Sequence, residues 1–295
     1  MLAKIRDFFK PGTQIEQADN YLKTPVAFSS EAIIANEYYF NNYEWAEEYL
    51  KYCHRSATFK ARWEAAIGDC TDKIVIDIGC GPGNIFATIT KKPKILIGID
   101  VAVNSLKMCR QFGYIPVLAD AQNLPFISEF ADIVVLNATL HHCENMERTL
   151  QEAARLVKPG GLIVTDHDPQ FSAWNYRGVA KLLWKARLIY YRITGHGFHK
   201  SGNQQLAALA SEIHHKPGSG VSTHFFKKTL DPLNFKVAIF PHNHTLGSEV
   251  LTGRTGNAEL KYRIGNLLSG RNPNTKESAL SLMCIAYKRT EALVI

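Results

Sequence analysis

An α/β chain with a doubly wound, largely parallel sheet is the fold class this sequence predicts, and three observations predict it. Apolar strand-like runs alternate with helical segments between residues 73 and 168. The first run, Lys73 to Ile78, passes directly into Gly79-Cys80-Gly81-Pro82-Gly83-Asn84. Glycines there permit backbone angles and a close ligand approach that a Cβ would block. Three acids, Asp77, Asp100 and Asp120, stand near the ends of the first three runs. Each alone reads as a cap or turn former; at three successive strand ends a shared ligand explains them better.

The elements follow in order. Ser30 to Lys51 is aromatic-dense and opens on a helix-start signal, Ser30-Glu31, and Ser56 to Ile67 makes a second helix. These lie in a helical cap over 1–72. The glycine loop is expected to lead into a helix whose free N–H groups suit an anion. Lys94 to Ile99 and Tyr114 to Ala119 are the second and third strands, Asp132 to Leu136 the fourth, and Glu144 to Val157 a helix. Lys158-Pro159-Gly160-Gly161 stops that helix before a fifth strand, Leu162 to Thr165.

A dinucleotide dehydrogenase fits the acid spacing too, but usually shows G-x-G-x-x-G. The loop here is G-x-G-x-G, with Asp77 two residues before its first glycine. Together with G-I-D, A-D-A-Q-N-L-P-F, D-I-V-V-L-N-A-T-L-H-H and R-L-V-K-P-G-G-L-I-V-T-D, the loop V-I-D-I-G-C-G-P-G-N resembles the class I S-adenosylmethionine-dependent methyltransferases. The resemblance is strongest to the small-molecule group that includes the ubiquinone and menaquinone biosynthesis enzymes, and it covers Lys73 to Asp168, about a third of the chain. It implies a Rossmann-like, doubly wound, seven-stranded sheet with an antiparallel last strand, and S-adenosyl-L-methionine as cofactor. Gly79, Gly81 and Gly83, with Cys80 in the same loop, would pass beneath the methionine moiety, and Asp77 would bind nearby. Asp100 would hold the ribose, Val101 would pack on the adenine, Asp120 and Ala121 would take the adenine edge, and Asn137 would lie beside the methionine part.

Past the fifth strand the resemblance thins. His224 to Asn234 resembles the family's next helix, Lys236 to Phe240 its sixth strand and Leu282 to Lys288 its seventh. The expected divisions are thus a cap at 1–72, a cofactor core at 73–168, a lid insertion at 169–223, and a C-terminal end at 224–295 with a basic insertion at 241–280. Within the lid, Val179 to Ile193 is amphipathic: Val179, Leu182, Leu183, Ala186, Ile189, Tyr190 and Ile193 share a face, with Lys181, Lys185, Arg187 and Arg192 on the rest. That is the composition of a helix lying on a membrane. It is equally that of a lid helix packed on its domain with basic stems snorkelling, and the packed reading is favoured.

Residues 1–72 carry 8 basic and 11 acidic side chains, residues 73–168 carry 9 and 10, and the remainder holds 17 and 6, a balance of +11. Such asymmetry suits an acidic substrate, nucleic acid or an anionic membrane, or is simply a solvated face. No apolar run approaches the roughly 18 residues of a spanning helix, and Met1 to Lys10 lacks a signal-peptide core. The six cysteines, Cys53, Cys70, Cys80, Cys109, Cys143 and Cys284, show no paired or metal-type spacing. They read as reduced thiols of a cytoplasmic chain.

Ten of the eleven histidines fall between His141 and His244. His167, His142 and His141 follow the fifth and fourth strands on the reacting side and are the candidates for a general base. His196, His199, His214 and His215 belong to the lid and could enter on closure. Glu212-x-His214-His215 and His242-x-His244 lack the H-E-x-x-H arrangement, and nothing else supports an ion held by Asp166, Asp168 and Asn137; no metal is expected. Asn137-Ala138-Thr139-Leu140 is not the Asn/Asp-Pro-Pro-Tyr/Phe motif of amino methylation, which points to oxygen or carbon as the acceptor. The leading expectation is methyl transfer to a small-molecule acceptor, lipophilic or acidic. An RNA methyltransferase using the basic C-terminal segment and a non-catalytic S-adenosylmethionine-binding protein are the alternatives; no RNA-binding module is visible, which speaks against nucleic acid. The oligomeric state is not legible.

Overall fold

The structure, a computed structural model, describes residues 1–26, 30–51, 55–195 and 201–290. Its centre is a nine-stranded sheet: β1 (Glu16–Gln17), β2 (Leu22–Lys23), β3 (Ile74–Ile78), β4 (Ile95–Asp100), β5 (Ile115–Leu118), β6 (Ala131–Asn137), β7 (Val157–Asp166), β8 (Phe235–His242) and β9 (Ser281–Lys288). The spatial order is β1-β2-β5-β4-β3-β6-β7-β9-β8. From β2 to β7 every pairing is parallel, and β9 runs antiparallel to both β7 and β8. The order reverses between β3 and β6, so the segments that follow these two strands pass to opposite faces, Ile85 and Phe86 into one core and Leu150 and Ala153 of the helix after β6 into the other. That switch point is where a doubly wound sheet opens a ligand crevice.

The helices are α1 (Leu2–Ile5), α2 (Glu31–Asn41), α3 (Tyr43–Tyr49), α4 (Ala57–Ile67), α5 (Val103–Cys109), α6 (Met146–Leu156), α7 (Gly178–Thr194), α8 (Gly202–Ser211), α9 (Thr223–Leu230) and α10 (Leu260–Leu268). Side chains alternate across the sheet with period two. Ile76, Ile78, Val134 and Leu136 face one core with α6 and α9, whereas Val75, Val135 and Val164 face the other with Phe59 and Trp63 of α4 and Leu106 of α5. Because both faces are buried, the central strands read as continuous apolar runs.

Two expectations change. The sheet has nine strands rather than seven, because residues 16–23 add β1 and β2 alongside β5. Segments of two residues are too short to show alternation, so they escape a sequence reading. Nor does a regular helix follow the glycine loop: residues 81–88 form successive turns. Pro82, Gly83 and the β-branched Ile85, Thr88 and Ile89 all weaken a helix there. The helix-dipole contribution expected at the loop therefore falls away.

The helix start expected at Ser30 is present, and two further serines cap helices in the same way. Ser30, Ser56 and Ser222 each accept a hydrogen bond from the backbone N–H three residues on, capping α2, α4 and α9. No helix among the described residues is long and apolar enough to cross a membrane. Cys70, Cys80, Cys109, Cys143 and Cys284 are free thiols; Cys53, His196 and His199 lie outside the described residues.

Candidate cofactor and acceptor site

Just beyond the carboxyl ends of β3, β4, β5 and β6 lies a cavity that opens to solvent. Gly79, Gly81, Asp100, Val101, Asp120, Ala121 and Asn137 all line it, and so does His142. The strand ends supply one wall; Ala32, Ile33, Asn36 and Phe40 of α2 supply another.

Local chemistry holds this wall in shape. The Asp100 carboxylate accepts hydrogen bonds from Gly81 N–H at 2.8 Å and Ala102 N–H at 2.9 Å, tying the loop to the end of β4. A carboxylate oxygen has two lone pairs, so both oxygens keep capacity for a further donor. Asp120 Oδ1 caps its own turn by accepting from Gln122 N–H at 2.9 Å. Gly79 has φ +67°, and a Cβ there would come within 2.5 Å of the Thr139 side chain. Thr139 Oγ1 in turn donates to Ile78 O at 3.0 Å, so loop and β6 terminus are packed without slack.

Three expected cofactor residues do not line the cavity. Asp77 shares strand parity with Val75 and lies in the opposite core, where Tyr114 Oη donates to its Oδ2 at 2.6 Å. Burial pushes its carboxyl up to about 8, against the lowering effect of that hydrogen bond. Cys80 is buried, its sulfur against Gly98, and a Cβ on Gly83 would meet Phe112 and Cys109. These two positions serve the packing of the loop against β4 and α5.

The histidines separate sharply. His142 Nδ1 lies 2.9 Å from Ser211 O, a pure acceptor, so Nδ1 carries the proton and Nε2 keeps its lone pair. Burial, then His141, lowers its pKa to about 3, so the ring is neutral. His141 does not line the cavity. Its Nδ1 lies 2.8 Å from Asp168 Oδ1, which also accepts its backbone N–H, and its ring centroid lies 4.1 Å from that of His142, the two planes tilted by 37°. Burial lowers His141 to about 3 and raises Asp168 to about 7.

His167 is also absent from the lining. It adopts φ +64° and its Nε2 accepts from Arg62 Nη2 at 2.8 Å, so the basic nitrogen is already used. Arg62 Nε donates to Asp166 Oδ2 at 2.8 Å, and His242 Nε2 lies 2.7 Å from Asp166 Oδ1. Burial would raise Asp166, but His242 and Arg62 outweigh it and hold the carboxyl well below its usual range. Of the lid histidines, His214 Nδ1 is 2.8 Å from Ser219 Oγ, and His215 Nδ1 is 2.9 Å from Glu212.

The sequence reading missed Asn36 and Asn84. Both line the cavity, and the side-chain oxygen of each is buried without a hydrogen-bond partner. Asn36 Nδ2 donates to His142 O at 3.1 Å, pinning α2 to the loop after β6. A polar residue in the apolar register of α2, between Ile33 and Phe40, was the available signal.

Residues 76–165 match the family described as "Methyltransferase domain". The chain is 33% identical over 118 residues to tRNA (carboxymethyluridine(34)-5-O)-methyltransferase of Arabidopsis thaliana, covering 38% of this chain and 29% of that protein. It is 30% identical over 129 residues to phthiotriol/phenolphthiotriol dimycocerosates methyltransferase 1 of Mycobacterium ulcerans (strain Agy99), covering 41% and 45%. The match thus spans less than half the length of either relative. Geranyl diphosphate C-methyltransferase from Streptomyces coelicolor A3(2), solved with Mg2+, geranyl diphosphate and S-adenosyl-L-homocysteine, superposes with a TM-score of 0.55. That likeness covers 88% of this chain and 99% of the other at 12% identity, and is one of fold. The family match thus runs from β3 into β7, the part of the chain that forms the parallel centre of the sheet, and there the chain is similar to methyltransferase domains.

Proposed function

We propose that the chain transfers the methyl group of S-adenosylmethionine to an oxygen or carbon of a small, largely apolar acceptor. One observation carries this reading. The acids and glycines at the strand ends share a single cavity with the apolar face of α2 and with His142. The donor set fits a nucleoside bearing an amino-acid tail. It combines carboxylates at two successive strand ends, a loop that faces the cavity with Gly79 and Gly81, which have no Cβ, and two buried amide oxygens still seeking donors.

In this reading Asp100 accepts from the ribose hydroxyls, Val101 packs on the adenine, and Asp120 with Ala121 takes its edge. Gly79, Gly81 and Asn137 face the methionine part, with Asn84 supplying a further acceptor. When bound, the sulfonium supplies an already activated methyl. What remains for the protein is alignment of the acceptor and exclusion of water. Ala32, Ile33 and Phe40 form an apolar surface for the acceptor, and His142 Nε2 is the free basic nitrogen beside it. His141, anchored by Asp168, packs beside His142, whose plane the hydrogen bond to Ser211 O fixes.

Calorimetric titration of the full chain tests the cofactor half. Micromolar binding of S-adenosylmethionine is expected, lost in Asp100→Ala and absent for NADH; no binding to the wild type overturns the reading. For the acceptor, transfer of a labelled methyl is followed in parallel into solvent-extractable small molecules and into bulk tRNA, since a tRNA enzyme is among the relatives. Label appearing only in tRNA would replace the small-molecule reading.

A further inference from the structure

We propose that the outward faces of α7 and α10 form a surface that docks on an anionic lipid membrane. The sequence marks an apolar stripe on α7, and a lid helix would turn such a stripe inward. The structure turns it outward. Ala180, Trp184, Leu188 and Tyr191 face the protein, with Trp184 stacked on Trp174 at 6.0 Å and 5.8 Å from Tyr262 of α10. Val179, Leu182, Leu183, Ile189, Tyr190 and Ile193 are left exposed, Leu182 to 68% and Ile193 to 79%.

Helix α10, packed against α7, repeats the arrangement. Its inner side is closed by Gly265, where a Cβ would stand 2.5 Å from the Tyr176 ring, and by buried Asn266. Leu260, Ile264, Leu267 and Leu268, spaced as one helical face, are exposed. Two neighbouring helices therefore each present a large apolar face to water, which monomeric chains ordinarily avoid.

Charge selects the occupant. Neither helix contains an Asp or Glu. At 100° per residue Lys181, Lys185 and Arg192 fall together along one edge of the α7 stripe, all exposed. An apolar face edged by cations complements acyl chains beneath anionic headgroups. A second copy of the chain fits worse, because a twofold contact would bring the same cation rows toward each other. A nucleic acid would meet the cations but leave the apolar face unmatched.

Flotation of the full chain with vesicles tests this without any acceptor or turnover. Binding is expected to vesicles of phosphatidylglycerol in phosphatidylcholine, and not to phosphatidylcholine alone. Lys181→Gln/Lys185→Gln/Arg192→Gln should weaken partition by about fivefold for each cation removed. Leu182→Asp/Ile189→Asp should abolish it, with an unchanged thermal midpoint as the check that these exposed changes leave the fold intact. Absence of flotation overturns the proposal, as does flotation indifferent to both variants or equal on neutral vesicles. A concentration-dependent dimer in sedimentation velocity, dissolved by Leu182→Asp/Ile189→Asp and unaccompanied by flotation, overturns it in favour of self-association.

Discussion

At the scale of single residues, hydrogen bonds decide which of several similar side chains can act. His142, His141 and His167 look alike in the sequence, yet only His142 both lines the cavity and has its proton fixed on Nδ1 by a carbonyl. His142→Asn keeps a donor for Ser211 O and removes Nε2. It is expected to lower kcat by about 10²-fold or more while leaving S-adenosylmethionine affinity unchanged, read by steady-state assay and calorimetry with the acceptor in hand. Asp77 makes the converse point. Its carboxyl, raised to about 8 by burial, contributes stability fully below the ordinary carboxylate range near ~4 and loses it as pH rises through about 8. Asp77→Asn keeps an acceptor for Tyr114 and removes that titration, so its thermal midpoint should vary less between pH 5 and pH 9 than the wild type's. The acid itself was legible in the sequence; its position on the far face was not. Strand parity emerges only once it is known that Val75 and Asp77 share one face and that the loop begins at Gly79.

At the scale of elements, the strands between residues 73 and 168 were legible because short apolar runs bounded by glycine or acid have few other readings, whereas their spatial arrangement came only from the family resemblance. The helix start at Ser30 was legible for the same local reason. What a helical face packs against is a property of its neighbours, and α7 shows the consequence: its periodicity is plain, its orientation is the reverse of the favoured one. The pairing of α4 with β7 was equally hidden, since Arg62 and Asp166 lie 104 residues apart. Both are fully buried, and Arg62 also donates to Leu246 O and to His167. Arg62→Leu would strand a buried carboxylate, at a cost of about 3–5 kcal/mol, measured by denaturant unfolding. Asp166→Asn in the same background should recover part of that loss, because the orphaned charge is then gone.

At the scale of the whole molecule, chemistry is gathered at one end of the sheet and unpartnered apolar surface is carried on the helices after β7. The match to the methyltransferase family stops within the parallel strands, and the segments beyond it carry α7, α8 and α10. This division explains why cofactor chemistry could be read from motifs while the acceptor could not. The wall opposite the strand ends comes from α2, outside the matched stretch. The first 24 residues play a different part. Through β1 and β2 they cover the outer side of β5, and they add Ile5, Phe9 and Leu22 to the core. Deleting residues 1–24 should lower the thermal midpoint and produce light-scattering aggregates on mild heating. Left bare, β5 would offer a row of unpaired backbone donors and acceptors to any extended chain nearby. In its place the sheet ends on Glu16–Gln17, two exposed polar residues long, too short a template for another strand to lengthen. The β1–β2 hairpin thus works as a guard against fibril-like growth. Since its partner β5 is translated some ninety residues later, the guard closes only after the edge it protects has been made.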